Sequence, residues 1–254
     1  MKKKLLQLTM SASVAIMLSA CTHYYYAPNS SNIPLFKKKN TMKINGGYSN
    51  GDNYNGGEVQ LAYSVSSKIG VMFNSFFAGN TETVESNGNS HLETGKGSLF
   101  EIGAGYYKPF GTQNKWTFET YAGAGIGTEK HTYENSQKAT LNLIRYFVQP
   151  SIGYSSLNGF LEVALGSRFC DLKLKVKEHN VTATNGGGND TDKKDLDNIN
   201  LSPSSVLWEP AIRLGLGWED FKFYLQLTSS QNLSNLTLPQ DHTNFNIGIK
   251  ISIK

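Results

Sequence analysis

The stretch Val206-Leu207-Trp208-Glu209-Pro210-Ala211-Ile212-Arg213-Leu214-Gly215-Leu216-Gly217-Trp218 is followed by Glu219-Asp220 and then by Phe221-Lys222-Phe223-Tyr224-Leu225-Gln226-Leu227-Thr228. Trp208, Pro210, Ile212, Leu214, Leu216 and Trp218 share one parity, and Glu209, Ala211, Arg213, Gly215 and Gly217 share the other. After the two-residue break, Phe221, Phe223, Leu225 and Leu227 oppose Lys222, Tyr224 and Gln226. Side chains alternate across a strand, so the pattern reads as two long strands joined by a tight turn.

The same alternation recurs over Thr41–Tyr48, Glu58–Val65, Ile69–Ala78, Leu99–Phe110, Trp116–Gly127, Leu141–Tyr154, Gly159–Leu172 and Asn244–Ile253, which makes ten segments in all. No helix is predicted after Thr41. The connections alternate as well. Ser66–Lys68, Gly111–Lys115, Ser155–Asn158 and Glu219–Asp220 are short, whereas Ser49–Gly57, Gly79–Ser98, Thr128–Thr140, Lys173–Ser205 and Ser229–Thr243 are long. Long loops at one end and tight turns at the other are the signature of an up-and-down barrel. The fold class predicted is all-β, an antiparallel up-and-down transmembrane β-barrel of about ten strands, with eight or twelve left open. An even count puts both chain ends on the short-turn side.

Which face is inside is not given by parity. A soluble carrier would turn the apolar face into its lumen; a membrane barrel would turn it outward. Gly103, Gly105, Gly123, Gly125, Gly153, Gly166, Gly215 and Gly217 occupy the other face. Glycine weakens a solvated strand, but small residues beside a few long ones suit a narrow, crowded lumen. Phe110, Trp116, Tyr154, Phe160, Trp218 and Phe221 near the short turns resemble an interfacial girdle. The membrane barrel is therefore the favoured orientation.

At the outer ends of the sixth and seventh segments the parity of the apolar residues changes. Leu141 and Leu143 join the parity of Arg145, and Leu172, Leu174 and Val176 join that of Arg168. Either the hairpin rises above the membrane, where the inside is apolar, or each strand carries a bulge. A turn at Ser155–Asn158 would set Leu141 opposite Leu172 and Arg145 near Arg168.

The inward parity carries Glu101, Glu119, Glu162 and Glu209 with Arg145, Arg168, Arg213, Lys43, Lys222 and Lys250. Buried charge requires partners, so these residues are predicted to form a network that fills the lumen. Glu119 and Glu209 are the expected neutralisers of Arg145 and Arg168, with Arg213 coupled to Glu209. No catalytic constellation is evident: His91, His131, His179 and His242 all fall in predicted connections. Gly123–Gly127 lacks the dinucleotide fingerprint and a following helix. Gly186–Asp192 lacks the spacing of a calcium loop. Neither an enzyme nor a cofactor or metal is expected. Of 254 residues only 17% are charged and the net charge is +4, with no basic face for a nucleic acid.

The N-terminus is read separately. Met1–Lys4 is positive, Leu5–Met17 is mostly apolar, and Leu18-Ser19-Ala20-Cys21 follows. This resembles a bacterial lipoprotein signal, which implies removal of residues 1–20 and acylation of Cys21. Beyond it, Tyr26-Ala27-Pro28, Asn32-Ile33-Pro34-Leu35-Phe36 and a Lys run resemble the start of outer-membrane barrel lipoproteins of Bacteroidota-like bacteria. Residues 21–40 are then an extended periplasmic tether and 41–254 the barrel. The resemblance implies a monomeric barrel in the outer membrane of a Gram-negative bacterium, anchored on the periplasmic side. Its partners would be outer-membrane lipid and an unknown ligand at the outer loops. The expected role is surface binding, adhesion or envelope structure; a narrow solute channel and a soluble periplasmic carrier are the alternatives. Changing Cys21 to Ser should abolish acyl labelling and leave unprocessed precursor, read by metabolic labelling with a fatty-acid analogue.

Overall fold

The computed structural model describes residues 23–86, 89–182, 189–234 and 238–254. The Leu18–Cys21 motif and Gly186–Gly188 lie outside them. Ten strands form one antiparallel barrel: β1 (Met42–Asn50), β2 (Asn55–Ser64), β3 (Ile69–Ser86), β4 (Asn89–Phe110), β5 (Trp116–Thr132), β6 (Lys138–Ser155), β7 (Leu161–His179), β8 (Ser204–Gly217), β9 (Phe221–Ser229) and β10 (Thr243–Ile253). Each strand pairs with its neighbours in sequence, and β1 pairs with β10 from Met42↔Ile253 to Asn50↔Phe245, which closes the ring. Gln231–Asn232 adds a two-residue bridge to β8.

The faces divide as alternation requires. Ile102, Ile126, Tyr146, Ile212, Phe223 and Ile247 point outward and are exposed, while Glu101, Arg145, Glu209, Arg213 and Gln226 point inward and are buried. An apolar-lumen carrier is not this arrangement. On β6 the outward apolar set runs from Ile144 to Tyr154. At about 3.3 Å per residue and a tilt near 40°, that span stands about 25 Å tall. Aromatic residues ring its lower edge: Trp116 stacks on Phe110 with ring centroids 6.5 Å apart and meets Tyr154 edge-on at 5.2 Å.

Several expectations are corrected. Gly79–Ser98 is not a loop: β3 and β4 stay paired from Ile69↔Tyr106 to Ser86↔Asn89. Likewise β5 and β6 stay paired to Thr132↔Lys138. Above the apolar belt both strand faces meet polar surroundings, so the hydrophobic period vanishes while the backbone ladder continues. What alternates between the two ends is therefore the overhang of the strands as much as loop length. The β6–β7 hairpin does rise above the belt. Leu141, Leu143, Leu172 and Leu174 point inward and are buried, with Lys173 and Lys175 exposed outside. Its register differs from the expected one, with Leu141 opposite Val176 and Arg145 opposite Leu172, and a bulge falls at Thr140/Leu141.

A helix, α1 (Asn189–Leu201), lies within the connection expected to be all loop. Its sequence hides it, because only Leu196, Ile199 and Leu201 are apolar. Leu196 and Ile199, one turn apart, are buried in a cluster with Tyr25, Tyr133, Leu141, Leu172, Leu174 and Val181, so tertiary burial rather than propensity supports the helix. Acidic residues crowd its first turns, as the helix dipole favours. Replacing Leu196 by Ala should weaken this docking by about 2–5 kcal/mol. The measurement is faster proteolysis within α1, with the barrel's heat-modifiable gel migration unchanged.

Candidate functional site

The expected tether is not outside the barrel. Residues 25–36 run through the lumen: Tyr25, Tyr26, Asn29, Ser30, Ser31, Asn32, Ile33, Leu35 and Phe36 are all buried. At one end His23 Nδ1 meets Asp192 Oδ1 of α1 at 2.9 Å, which places it among the long connections. At the other end Phe36 packs on Tyr107, whose hydroxyl donates to the carbonyl of Ser66 in a short turn. The segment thus enters at the loop end and reaches β1 at the short-turn end. His23 stands opposite the side where the anchor was expected.

Wall and segment are chemically matched along this path. Arg145 and Arg168 lie at mid-height, both fully buried. Arg145 donates from Nε to Glu101 Oε1 at 2.9 Å and from Nη2 at 2.5 Å. It also donates to the Tyr26 hydroxyl and, at 2.6 Å, to Asn29 Oδ1. Arg168 donates from Nε to Glu209 Oε2 at 2.6 Å and from Nη2 to Asn29 O and Oδ1 at 2.8 and 2.9 Å. Tyr26 donates to Glu209 Oε1 at 2.5 Å, and Asn29 Nδ2 donates to Glu101 Oε2 at 3.0 Å. Two arginines and two glutamates balance, and Asn29 touches both arginines.

Below the cluster the wall binds backbone. Asn32 O accepts from Gln149 at 2.7 Å, and Pro34 O accepts from Lys250 at 3.1 Å. Leu35 adopts a left-handed backbone (φ 56°), which costs an L-residue about 1–2 kcal/mol. In this conformation the N–H groups of Leu35 and Phe36 both reach Glu119, at 3.0 and 2.8 Å. Lumen glycines seat the apolar side chains. A Cβ on Gly153 would stand 2.4 Å from Leu35 Cδ2, and one on Gly166 would stand 3.1 Å from Ile33 Cδ1.

The predicted network residues all face inward, buried except for the half-buried Glu162, but they are sorted differently. Glu101 and Glu209 neutralise the two mid-height arginines; Glu119 does not, and holds the segment's backbone instead. Arg168 pairs with Glu209 across β7–β8, and it stays near Arg145, as expected, through the Asn29 Oδ1 that both donate to. Arg213 is not coupled to Glu209: it lies 3.9 Å over the Tyr224 ring and donates to Ile33 O at 3.4 Å. Glu162 pairs with Lys250 at 2.9 Å. The residues missed were Tyr26, Asn29 and Asn32. Glu58, inward and buried, was missed as well; it accepts from Ser30 N at 3.1 Å. No pattern in the segment marked these residues, and what reaches them from the wall is Arg168, Arg213 and Lys250 on its carbonyls and Glu58 and Glu119 on its N–H groups.

The loop end holds a second cluster, above the apolar belt. A small cavity of about 60 Å³, open to solvent, is lined by His23, Tyr24, Tyr54, Glu93, Glu129 and His131 among others. His23 also approaches Glu93, with Nε2 3.2 Å from Oε2. Burial lowers the pKa of His23, but Asp192 and Glu93 raise it further, so the net shift is upward. His131 is buried and neither ring nitrogen has a partner. Burial, with the neighbouring His23, brings its pKa down to about 3. Burial pushes the Glu129 carboxyl up to about 8. No group of three or more metal-ligating side chains is gathered among the described residues.

Neither a protein-family profile nor a curated protein matches the sequence. Among solved structures, the chain is similar to the transport unit of the autotransporter AIDA-I from Escherichia coli, at 12% identity and TM-score 0.45 over 98% of this chain and 97% of that one. It is similar to the β domain of the Bordetella autotransporter BrkA, at 10% identity and TM-score 0.44 over 84% and 98%. It is also similar to the outer membrane protein OprG from Pseudomonas aeruginosa, at 12% identity and TM-score 0.41 over 86% and 98%. At these values nothing of those proteins' activities passes to this chain.

Arg168→Ala should leave Glu209 short of its cation and destabilise the barrel by about 3–5 kcal/mol. Its effect should be strongly non-additive with Glu209→Gln in a double-mutant cycle. Arg213→Ala and Glu209→Gln, about 13 Å apart along β8, should add within about 0.5 kcal/mol. Urea unfolding in lipid vesicles measures both cycles.

Proposed function

We propose that this protein is an outer-membrane β-barrel of a Gram-negative bacterium, closed to solute flow by its own N-terminal segment and acting through binding at its loop end. Membrane insertion is supported by the outward apolar belt, about 25 Å tall, above an aromatic ring. In water such a belt would be an apolar patch far larger than soluble monomers expose. The closed lumen is carried by one observation: the threaded segment is hydrogen-bonded to the wall from Tyr26 to Phe36 and leaves its mid-height arginines fully buried. The reading is non-catalytic. Function falls to the loop end, where overhanging hairpins, α1 and the upper pocket are presented.

Cys21 remains the proposed lipid attachment. Two residues after it, His23 stands at the loop end of the barrel.

Planar-bilayer recording tests the closure. The wild-type protein should pass no steady single-channel current, and deletion of residues 24–34 should open one. Steady wild-type current would overturn the closed lumen in favour of a narrow channel. Placing Arg at Ile212, mid-strand on the outward face, should cost about 2–4 kcal/mol in vesicles. A harmless substitution there would overturn the orientation.

A further inference from the structure

The upper pocket has the composition of a site rather than of a gap. Glu129 and His131 sit two apart on β5 and face the same side, so their Cα atoms stand about 7 Å apart. Directly across the β4–β5 ladder are Gly97 and Gly95, which pair with Glu129 and His131 respectively. A Cβ on Gly97 would stand 2.3 Å from both Glu129 carboxylate oxygens, and one on Gly95 would stand 3.3 Å from the His131 ring. The two glycines create the room that these side chains occupy.

Both side chains lack partners. His131 is 4% exposed with neither Nδ1 nor Nε2 hydrogen-bonded, although a buried polar group left unpaired costs about 1–3 kcal/mol. Glu129 has no hydrogen bond or ion pair among the described residues. The other ionisable groups that line the pocket are Glu82 on β3, Glu93 and Lys96 on β4, Asp241 on the last connection and His23 on the threaded segment. Three carboxylates and the carboxyl of Glu129 therefore stand against one lysine, and His23 is already engaged with Glu93 and Asp192. Tyr24 and Tyr54 add aromatic wall, a surface that favours cations.

We propose that this pocket binds a small organic cation with an ammonium head, seated between Glu129 and His131. The ammonium donates to the Glu129 carboxylate and to the free acceptor nitrogen of the neutral His131 imidazole. A tetrahedral ammonium can serve two acceptors at once and still carry its alkyl chain, which lies against Tyr24 and Tyr54. Burial holds a proton on Glu129 in the empty pocket, and the arriving cation replaces it, so binding releases a proton to solvent. The inference rests on the loop end as a binding surface and names the chemistry it takes.

The test uses the full-length protein in detergent, titrated calorimetrically with cadaverine and with 1,5-pentanediol as its uncharged isostere. Cadaverine should bind saturably, at least tenfold tighter than the diol, with heat that varies with buffer ionisation as proton release requires. Glu129→Gln should weaken cadaverine at least tenfold, and Gly97→Ala, which displaces the carboxylate, should do the same. Heat-modifiable migration shows that each variant is folded. Absence of cadaverine binding, equal affinity for the diol, or unchanged affinity in both variants would overturn the proposal. Bilayer conductance is measured on the same preparation, so a silent barrel without cadaverine binding would sink this inference and leave the closed lumen standing.

Discussion

Two guanidinium groups buried at mid-height set the terms for the whole interior. A buried charge is tolerated only when paired and fully hydrogen-bonded, and the wall alone cannot do this for Arg145 and Arg168. Glu101 and Glu209 supply the counter-charges, but the remaining donors are satisfied by Tyr26 and by the side chain and carbonyl of Asn29. The barrel wall is therefore an incomplete structure. It requires a strip of extended chain through its centre, as an enzyme site requires its substrate.

That strip is fitted by the same rules. An irregular stretch with Pro28 and Pro34 forms no helix or sheet ladder of its own, so its carbonyls are free for inward amides, lysines and arginines. Tyr54 and Asn244 both donate to Pro28 O, at 2.7 Å each. The glycines that read as lumen filler are seats: Leu35 rests over Gly153 and Ile33 over Gly166. Small residues on a strand face thus record the shape of a partner, here supplied by the same chain.

Much of this was legible beforehand. The ten strands, their faces and the inward position of every predicted network residue follow from parity, because burial on one face imposes period two. The pairing within the network was not legible. It depends on register: the β6–β7 ladder is offset by four residues from the expected one, and the β7–β8 ladder sets Arg168 opposite Glu209. α1 escaped because two buried side chains on one turn are too few to show a helical period. The role of residues 25–36 escaped for a related reason. A Pro- and Asn-rich stretch has no pattern of its own, and its partners on the wall, donors and carboxylates alike, are brought to it only by the fold.

Threading also imposes an order of events. A segment ringed by ten hydrogen-bonded strands, with arginines clamped on it from two sides, cannot be passed through the finished ring without breaking those clamps. The seam between β1 and β10 joins the two ends of the ring, Met42 to Ile253, and it is the natural last closure. Residues 23–36 must then lie across the growing sheet while it is still open, as a mandrel around which it curls. The chain's first folded segment becomes its innermost, and the last strand to be made shuts it in.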